Sequence, residues 1–196
     1  MSAALPPNPR IGNEQEVAPL SAGTLPLDFK PLIGTETANI DDKGRVLISK
    51  KKRERLGDSC ALVLGKGCLI LYPTPIWRQL IAEIFAVPTL NPAREAYTRL
   101  VLSAAEDDLR CDPQGRMVIP KELREKARIR DRDTVLLIGC GDRVEIWAER
   151  EWEFFQRSPD DYEKGRRELF EKVYDAMARA TRVETAVRTD TVEETE

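Results

Sequence analysis

Apolar and polar positions along this chain follow an order of elements that runs once and then starts again. A proline-rich stretch without periodicity (Pro6, Pro7, Pro9, Pro19, Pro26 and Pro31) reads as a disordered extension. Residues 37–40 then predict a short strand, Asp41 to Gly44 a turn, and residues 46–48 the return strand. Ser49 caps a short helix that Gly57 stops. Residues 60–64 and 68–72 are apolar strands joined at Gly65-Lys66-Gly67, a hairpin signal. Thr74 predicts a cap and Pro75 the first position of a helix to about Ala86, with Ile76, Trp77, Leu80, Ile81, Ile84 and Phe85 on one face. Asn91-Pro92 opens another to about Ala105, with Ala93, Ala96, Tyr97, Leu100 and Val101 on one side. Those faces predict core or subunit contact rather than a cofactor pocket.

The order then restarts. Asp112-Pro113-Gln114-Gly115 is a turn, and Pro120 begins a short helix through Ala127. Residues 134–138 and 144–147 predict a second hairpin around Gly139-Cys140-Gly141. A helix carries Trp152, Phe154 and Phe155. A last one, opened by Pro159-Asp160, aligns Tyr162, Leu169, Phe170, Val173, Tyr174 and Met177 in a stripe. Beyond Arg182 a Thr/Glu-rich tail reads as disordered.

The restart extends to individual residues. Asp41, Gly44, Arg45 and Ile48 correspond to Asp112, Gly115, Arg116 and Ile119, and Arg53-Glu54 to Arg124-Glu125, all at one constant offset. Two copies cannot build a solenoid. They predict one pseudo-symmetric body in which each half covers the other's apolar face. The divisions that follow are an N-terminal extension (1–34), a first repeat domain (35–76), connecting helices (77–105), a second repeat domain (106–151), C-terminal helices (152–183) and an acidic tail (184–196).

Charge sharpens this picture. The net formal charge is −3, but seven basic residues (Lys43, Arg45, Lys50, Lys51, Lys52, Arg53, Arg55) stand together against Glu54. A positive patch on a mildly acidic chain predicts a phosphate-rich partner at one face. The chain has no histidine, which removes the commonest general base and a common metal ligand. Cys60, Cys68, Cys111 and Cys140 form no Cys-x-x-Cys pair and read as buried thiols in a reducing cytosol. No apolar run approaches the ~20 residues of a membrane span, and no secretory signal begins the chain.

Arg45 and Arg116 each follow a tight turn, with an Asp four residues earlier. That carboxylate has two readings: a clip that only caps the turn, or a group that pre-orients the guanidinium toward a nucleic acid. An arginine so placed bonds guanine O6 and N7 bidentately, or grips a phosphate. Lys43, Lys50, Lys51, Lys52 and Arg53 beside the first copy, and Lys121 and Arg124 beside the second, predict phosphate contacts. Asp41, Gly44, Asp112 and Gly115 hold the turns.

The duplicated Asp-x-x-Gly-Arg, followed in the second copy by Ile119-Pro120 and Arg124, resembles the SpoVT/AbrB-type DNA-binding domain. Two such domains, separated by Tyr72-Pro73-Thr74-Pro75-Ile76-Trp77 and an Asn91-Pro92 helix, are similar to the MraZ family of bacterial regulators of the division and cell-wall gene cluster. The resemblance spans about residues 35–152. Ser49 departs from it, standing where the family pattern has Pro. So do the unusually basic first copy and the long termini. The resemblance implies an α+β fold of two swapped-hairpin β-barrel halves forming an intrachain pseudo-dimer. It also implies a homo-oligomeric ring on the direct repeats of a promoter, acting as a repressor at the nucleoid in the cytoplasm. No cofactor, metal, membrane or small-molecule substrate is implied.

Two other readings use the same residues. An antitoxin-like regulator of this fold would use the C-terminal stripe, residues 169–177, to bind a partner protein. A nuclease would need Asp41, Asp42 or the Asp107/Asp108 pair to hold a metal, in a chain without histidine.

Overall fold

The computed structural model of the protein describes residues 30–157 and 172–182. Most of the proline-rich extension, the acidic tail, and Tyr162, Leu169 and Phe170 of the expected last helix lie outside the described residues. The first repeat contributes β1 (Leu32–Asn39), β2 (Arg45–Leu47), α1 (Lys50–Leu56), β3 (Cys60–Leu64) and β4 (Leu69–Pro73). Two helices follow, α2 (Thr74–Ala86) and α3 (Pro92–Leu100), then a 3-10 turn (Leu102–Ala104). The second repeat runs through the same order: β5 (Glu106–Leu109), β6 (Arg116–Val118), α4 (Lys121–Lys126), β7 (Thr134–Gly141) and β8 (Val144–Ala148). Helix α5 (Glu149–Arg157) closes it, and a further helix, α6, spans 172–182.

The pairing joins the repeats. One antiparallel sheet has the order β1-β7-β8-β4-β3-β5, and β2 and β6 form a separate two-stranded ribbon. Thus β1 pairs with the second repeat's hairpin, from Leu32 opposite Gly141 to Asn39 opposite Thr134. Conversely, β5 pairs with β3 of the first repeat. The two hairpins meet at β4–β8, with Leu69 opposite Ile146 and Leu71 opposite Val144. The six-stranded sheet is open, ending in β1 and β5. The architecture is α+β, and the two repeats fit a pseudo-dimer within one chain.

Among the described residues, three apolar clusters hold these layers. The largest mixes the repeats, combining Val46, Ile48, Leu62 and Leu71 with Met117, Ile119, Leu137 and Ile146. A second packs Ala61 and Val63 of β3 under Trp77 and Ile84 of α2, Tyr97 of α3, and Val173 and Met177 of α6. A third gathers Cys68, Ile70 and Trp147 against Trp152 and Phe155. Strand β3 is therefore buried on both faces, which is why it reads as a continuous apolar run rather than an alternating one.

Several elements differ from the sequence reading. β1 is eight residues long rather than a short strand at 37–40, because its partner is β7 and not the return strand. The second hairpin does not turn at Gly139-Cys140-Gly141. β7 runs through Gly141, and Cys140 N–H bonds to Arg143 O (2.9 Å) across the turn. Gly139 instead lets β1 approach: a Cβ there would lie 2.6 Å from Ile33 N. The helix expected to reach Ala105 stops at Leu100 and continues as the 3-10 turn. Thr74 does not cap α2; its hydroxyl donates to Ser59 O (2.8 Å). Phe85 is half exposed rather than on the buried face, with the Arg94 guanidinium 4.6 Å from its ring centroid.

Candidate nucleic-acid interface

Each repeat presents the same built turn. Asp41 O accepts from Gly44 N–H (2.9 Å), and Asp41 N–H donates to Arg45 O (2.9 Å). One Asp41 carboxylate oxygen accepts from the backbone N–H of Lys43 and of Arg45, both at 2.9 Å. The other holds the Arg45 guanidinium side-on, through Nε and Nη2 at 2.7 Å each. Gly44 supplies the positive φ (72°) that ends the turn. In the second copy, Asp112 accepts from the N–H of Gln114 (3.0 Å) and Arg116 (2.8 Å) and from Arg116 Nε (3.0 Å). Arg116 Nη2 adds a longer bond to Gln114 Oε1 (3.3 Å). The Arg45 side-chain bond, with backbone N–H donation behind it, pulls the Asp41 carboxyl down to about 2. Asp112 is lowered for the same reasons, with the Arg116 backbone N–H foremost.

The two turns share one ribbon. Strands β2 and β6 pair antiparallel, with Arg45 opposite Val118, Val46 opposite Met117 and Leu47 opposite Arg116. Ile48 N–H donates to Gly115 O and Ile119 N–H to Gly44 O, each at 2.9 Å, so each strand ends on the other repeat's turn. Strand alternation sends Val46 and Met117 into the core and puts Arg45, Leu47, Arg116 and Val118 on the opposite face. Arg45 and Arg116 keep 23% and 37% of their side chains exposed. Asp41 uses two of the five guanidinium N–H donors of Arg45, leaving the rest for a ligand. Leu47 and Val118, each 55% exposed, are members of this face that the sequence reading missed. Arg-Val-Leu and Arg-Met-Val alternate out-in-out, a pattern that the buried middle residue reveals.

The basic run divides. Lys43, Lys50, Lys51 and Lys121 are exposed. Lys52, grouped with Lys50 and Lys51 on sequence, is 2% exposed. Its ammonium donates to Gly34 O (3.0 Å) and Ile33 O (3.4 Å) and pairs with Glu36 (3.4 Å), tying α1 to β1. Arg53 donates from Nε to Ile48 O (3.1 Å) and lies where a Cβ on Gly115 would go, 2.9 Å from that position. Arg124 does the same to Gly44, at 2.7 Å, while bonding Ile119 O (3.1 Å) and pairing with Asp131. Both arginines thus brace the other repeat's turn.

Asp107 and Asp108 lie exposed on the edge strand β5, and Asp108 pairs with Arg110 (3.1 Å). Among the described residues no three Cys, Asp or Glu side chains gather into a metal-ligand group. Of the C-terminal stripe, Val173 and Met177 are buried in the second cluster, and Tyr174 Oη donates to Leu64 O (2.9 Å). No helix among the described residues is long and apolar enough to cross a membrane.

The sequence matches the family model described as "MraZ protein, putative antitoxin-like" over residues 32–100 and 102–175, one block for each copy of the motif. It is similar to proteins named Transcriptional regulator MraZ. That of Salinispora tropica is 38% identical over 130 residues, covering 66% of this chain and 89% of that protein. That of Pelotomaculum thermopropionicum is 37% identical over 145 residues (73% and 95%). That of Chromobacterium violaceum is 41% identical over 125 residues (61% and 82%).

Proposed function

This chain belongs to the MraZ family, and we propose that it is a sequence-specific DNA-binding transcriptional regulator that reads DNA with the outer face of the β2–β6 ribbon. One observation carries the reading: two arginines, each held by the aspartate of its own turn, stand on the exposed side of a ribbon whose other side is core. A two-stranded ribbon fits the major groove, where a guanidinium bonds guanine O6 and N7. A side chain already held in place loses less freedom on docking. Arg45 and Arg116 contact bases. Lys43, Lys50, Lys51 and Lys121 contact phosphates. Asp41 and Asp112 orient the arginines, Arg53 and Arg124 brace the ribbon's turns from beneath, and Lys52 ties α1 to β1. The names of the relatives support a regulator rather than an enzyme.

The finer parts of the proposal rest on the resemblance of the duplicated Asp-x-x-Gly-Arg turns to that family. The exchange of β1 and β5 between repeats supports two swapped-hairpin barrel halves. Copies of the chain assemble into a ring on the direct repeats of a promoter, where several weak contacts add through effective concentration. The target is the division and cell-wall gene cluster, and the action is repression in the cytoplasm, at the nucleoid.

The test is fluorescence anisotropy with a duplex from the gene's own upstream region, against a scrambled duplex. Arg45→Ala and Arg116→Ala should each weaken specific binding by about 10- to 100-fold, the worth of one bidentate base contact, with unchanged melting. Full promoter affinity in both variants would refute the assignment. Mass measured in solution with and without DNA tests the ring.

A further inference from the structure

Leu47 and Val118 occupy the same position in the two repeats and are exposed to the same degree, 55% each. Their strand neighbours Val46 and Met117 are 0% and 1% exposed, so the ribbon has a well-made core side and did not need apolar groups on the other. The register sets each beside a guanidinium: Leu47 is opposite Arg116, and Val118 is opposite Arg45. Directly opposed side chains on a ribbon lie about 5 Å apart, and those two apart along a strand about 7 Å. The outer face is therefore a checkerboard, with cations on one diagonal and apolar groups on the other.

The major groove offers a surface of that kind. Guanine presents the O6 and N7 acceptors, and thymine presents a 5-methyl group, the one apolar feature of the groove edge. Stacked bases follow one another at 3.4 Å, so neighbours on the checkerboard span one or two steps. A second copy of the chain is a poorer occupant, because covering the apolar pair would also desolvate the two interleaved guanidinium groups. Charge complementarity favours DNA.

We propose that Leu47 and Val118 are specificity-determining contacts that receive thymine 5-methyl groups next to the guanines bonded by Arg116 and Arg45. The proposal rests on the reading of the ribbon as the DNA-contacting face. It predicts operators in which guanine and thymine stand close together at each half of the site.

The full chain is used to select a duplex from a randomised pool, and each thymine of that duplex is replaced in turn by deoxyuridine. This removes only the methyl group. Anisotropy titrations should show that wild-type protein loses about four-fold in affinity at each contacted thymine, the worth of one buried carbon. Leu47→Ala and Val118→Ala should bind the thymine duplex more weakly and lose nothing further on uridine replacement at their own positions. The wild-type arm does not depend on the variants folding. Specific binding that is indifferent to every uridine replacement overturns this proposal and leaves the DNA reading standing. Failure to select any sequence overturns both.

Discussion

Lys51 and Lys52 are adjacent in the chain and opposite in environment, so lysine-to-methionine substitutions at the two separate folding from DNA contact. Methionine keeps most of the stem and removes the ammonium. At Lys52 that removes the bond to Gly34 O (3.0 Å), a weaker one to Ile33 O (3.4 Å) and the pair with Glu36 (3.4 Å). A hydrogen bond from a charged donor contributes about 1.5–3 kcal/mol net. The other two contacts are long, and replacing a buried charge by an apolar group recovers part of its desolvation cost. Lys52→Met should therefore cost about 2 kcal/mol, and for a chain of this size lower Tm by about 4–8 °C. Lys51 is exposed, and Lys51→Met should stay within about 0.5 kcal/mol. DNA binding should respond the other way round. Each phosphate contact adds about 0.9 to the slope of log affinity against log salt, so Lys51→Met should flatten that slope by about 0.9 and Lys52→Met should leave it alone. Thermal melts and salt-dependent anisotropy titrations on both variants decide it. A Lys52→Met protein that melts normally but has a flatter salt slope would refute the division of the basic run.

Gly44→Ala should cost more than Gly34→Ala in urea unfolding. Both share a positive φ, but only at Gly44 would a new methyl displace the Arg124 guanidinium and break its buried bond to Ile119 O, adding about 1–3 kcal/mol; equal losses would refute the bracing role of Arg124. The Asp41 carboxyl should titrate by NMR with a midpoint of about 2 and return toward the ordinary carboxylate value of 3.8 in Arg45→Ala. Because the folded value is the lower one, the stabilisation is complete above the ordinary value and is lost as pH falls toward about 2; a native midpoint near 3.8 would contradict the clamp. Burial pushes the Cys60 thiol up to about 12, so a thiol reagent at mildly alkaline pH should spare Cys60 in the native protein and modify it in denaturant. Rapid native labelling of Cys60 would place it outside the core.

Much of the element order was legible because its punctuation is local. Ser49 accepts from Lys52 N–H, Asn91 accepts from Ala93 N–H (2.9 Å), and a glycine closes each Asp turn. The two turn arginines were legible as candidates because the chain writes their setting twice. What local pattern could not supply was partnership. β1 buries few side chains on either face, since it is an edge strand, so its length shows only once β7 is placed beside it. Lys52 looks like its neighbours until the backbone carbonyls of β1 arrive from 18 and 19 positions away. Arg53 and Arg124 carry charge suited to phosphate, yet their heads fill the space left by a glycine of the other repeat. Leu47 and Val118 were passed over because apolar residues in a short strand read as core. A three-residue strand shows its alternation only when its middle residue is known to point inward.

The exchange between repeats also explains why duplication inside one chain is useful here. Each turn is finished by the other half: Ile48 bonds to Gly115, Ile119 bonds to Gly44, and the braces cross in the same way. One repeat alone would leave its turn glycine uncovered and its ribbon strand unpaired, so the two arginines come as a set with fixed spacing. A covalent pair is free to let its halves diverge, which a symmetric dimer of identical chains is not. The halves have diverged. Arg45 is held through two nitrogens at 2.7 Å, whereas Arg116 has one bond to Asp112 at 3.0 Å and a longer one to Gln114. The tighter clamp restricts Arg45 to fewer poses, and the looser one leaves Arg116 more of its surface exposed. On the proposed reading, Arg45 enforces one base at its position, and Arg116 tolerates more variation at the related one. The half of the site read by the first repeat should then be the more stringent of the two.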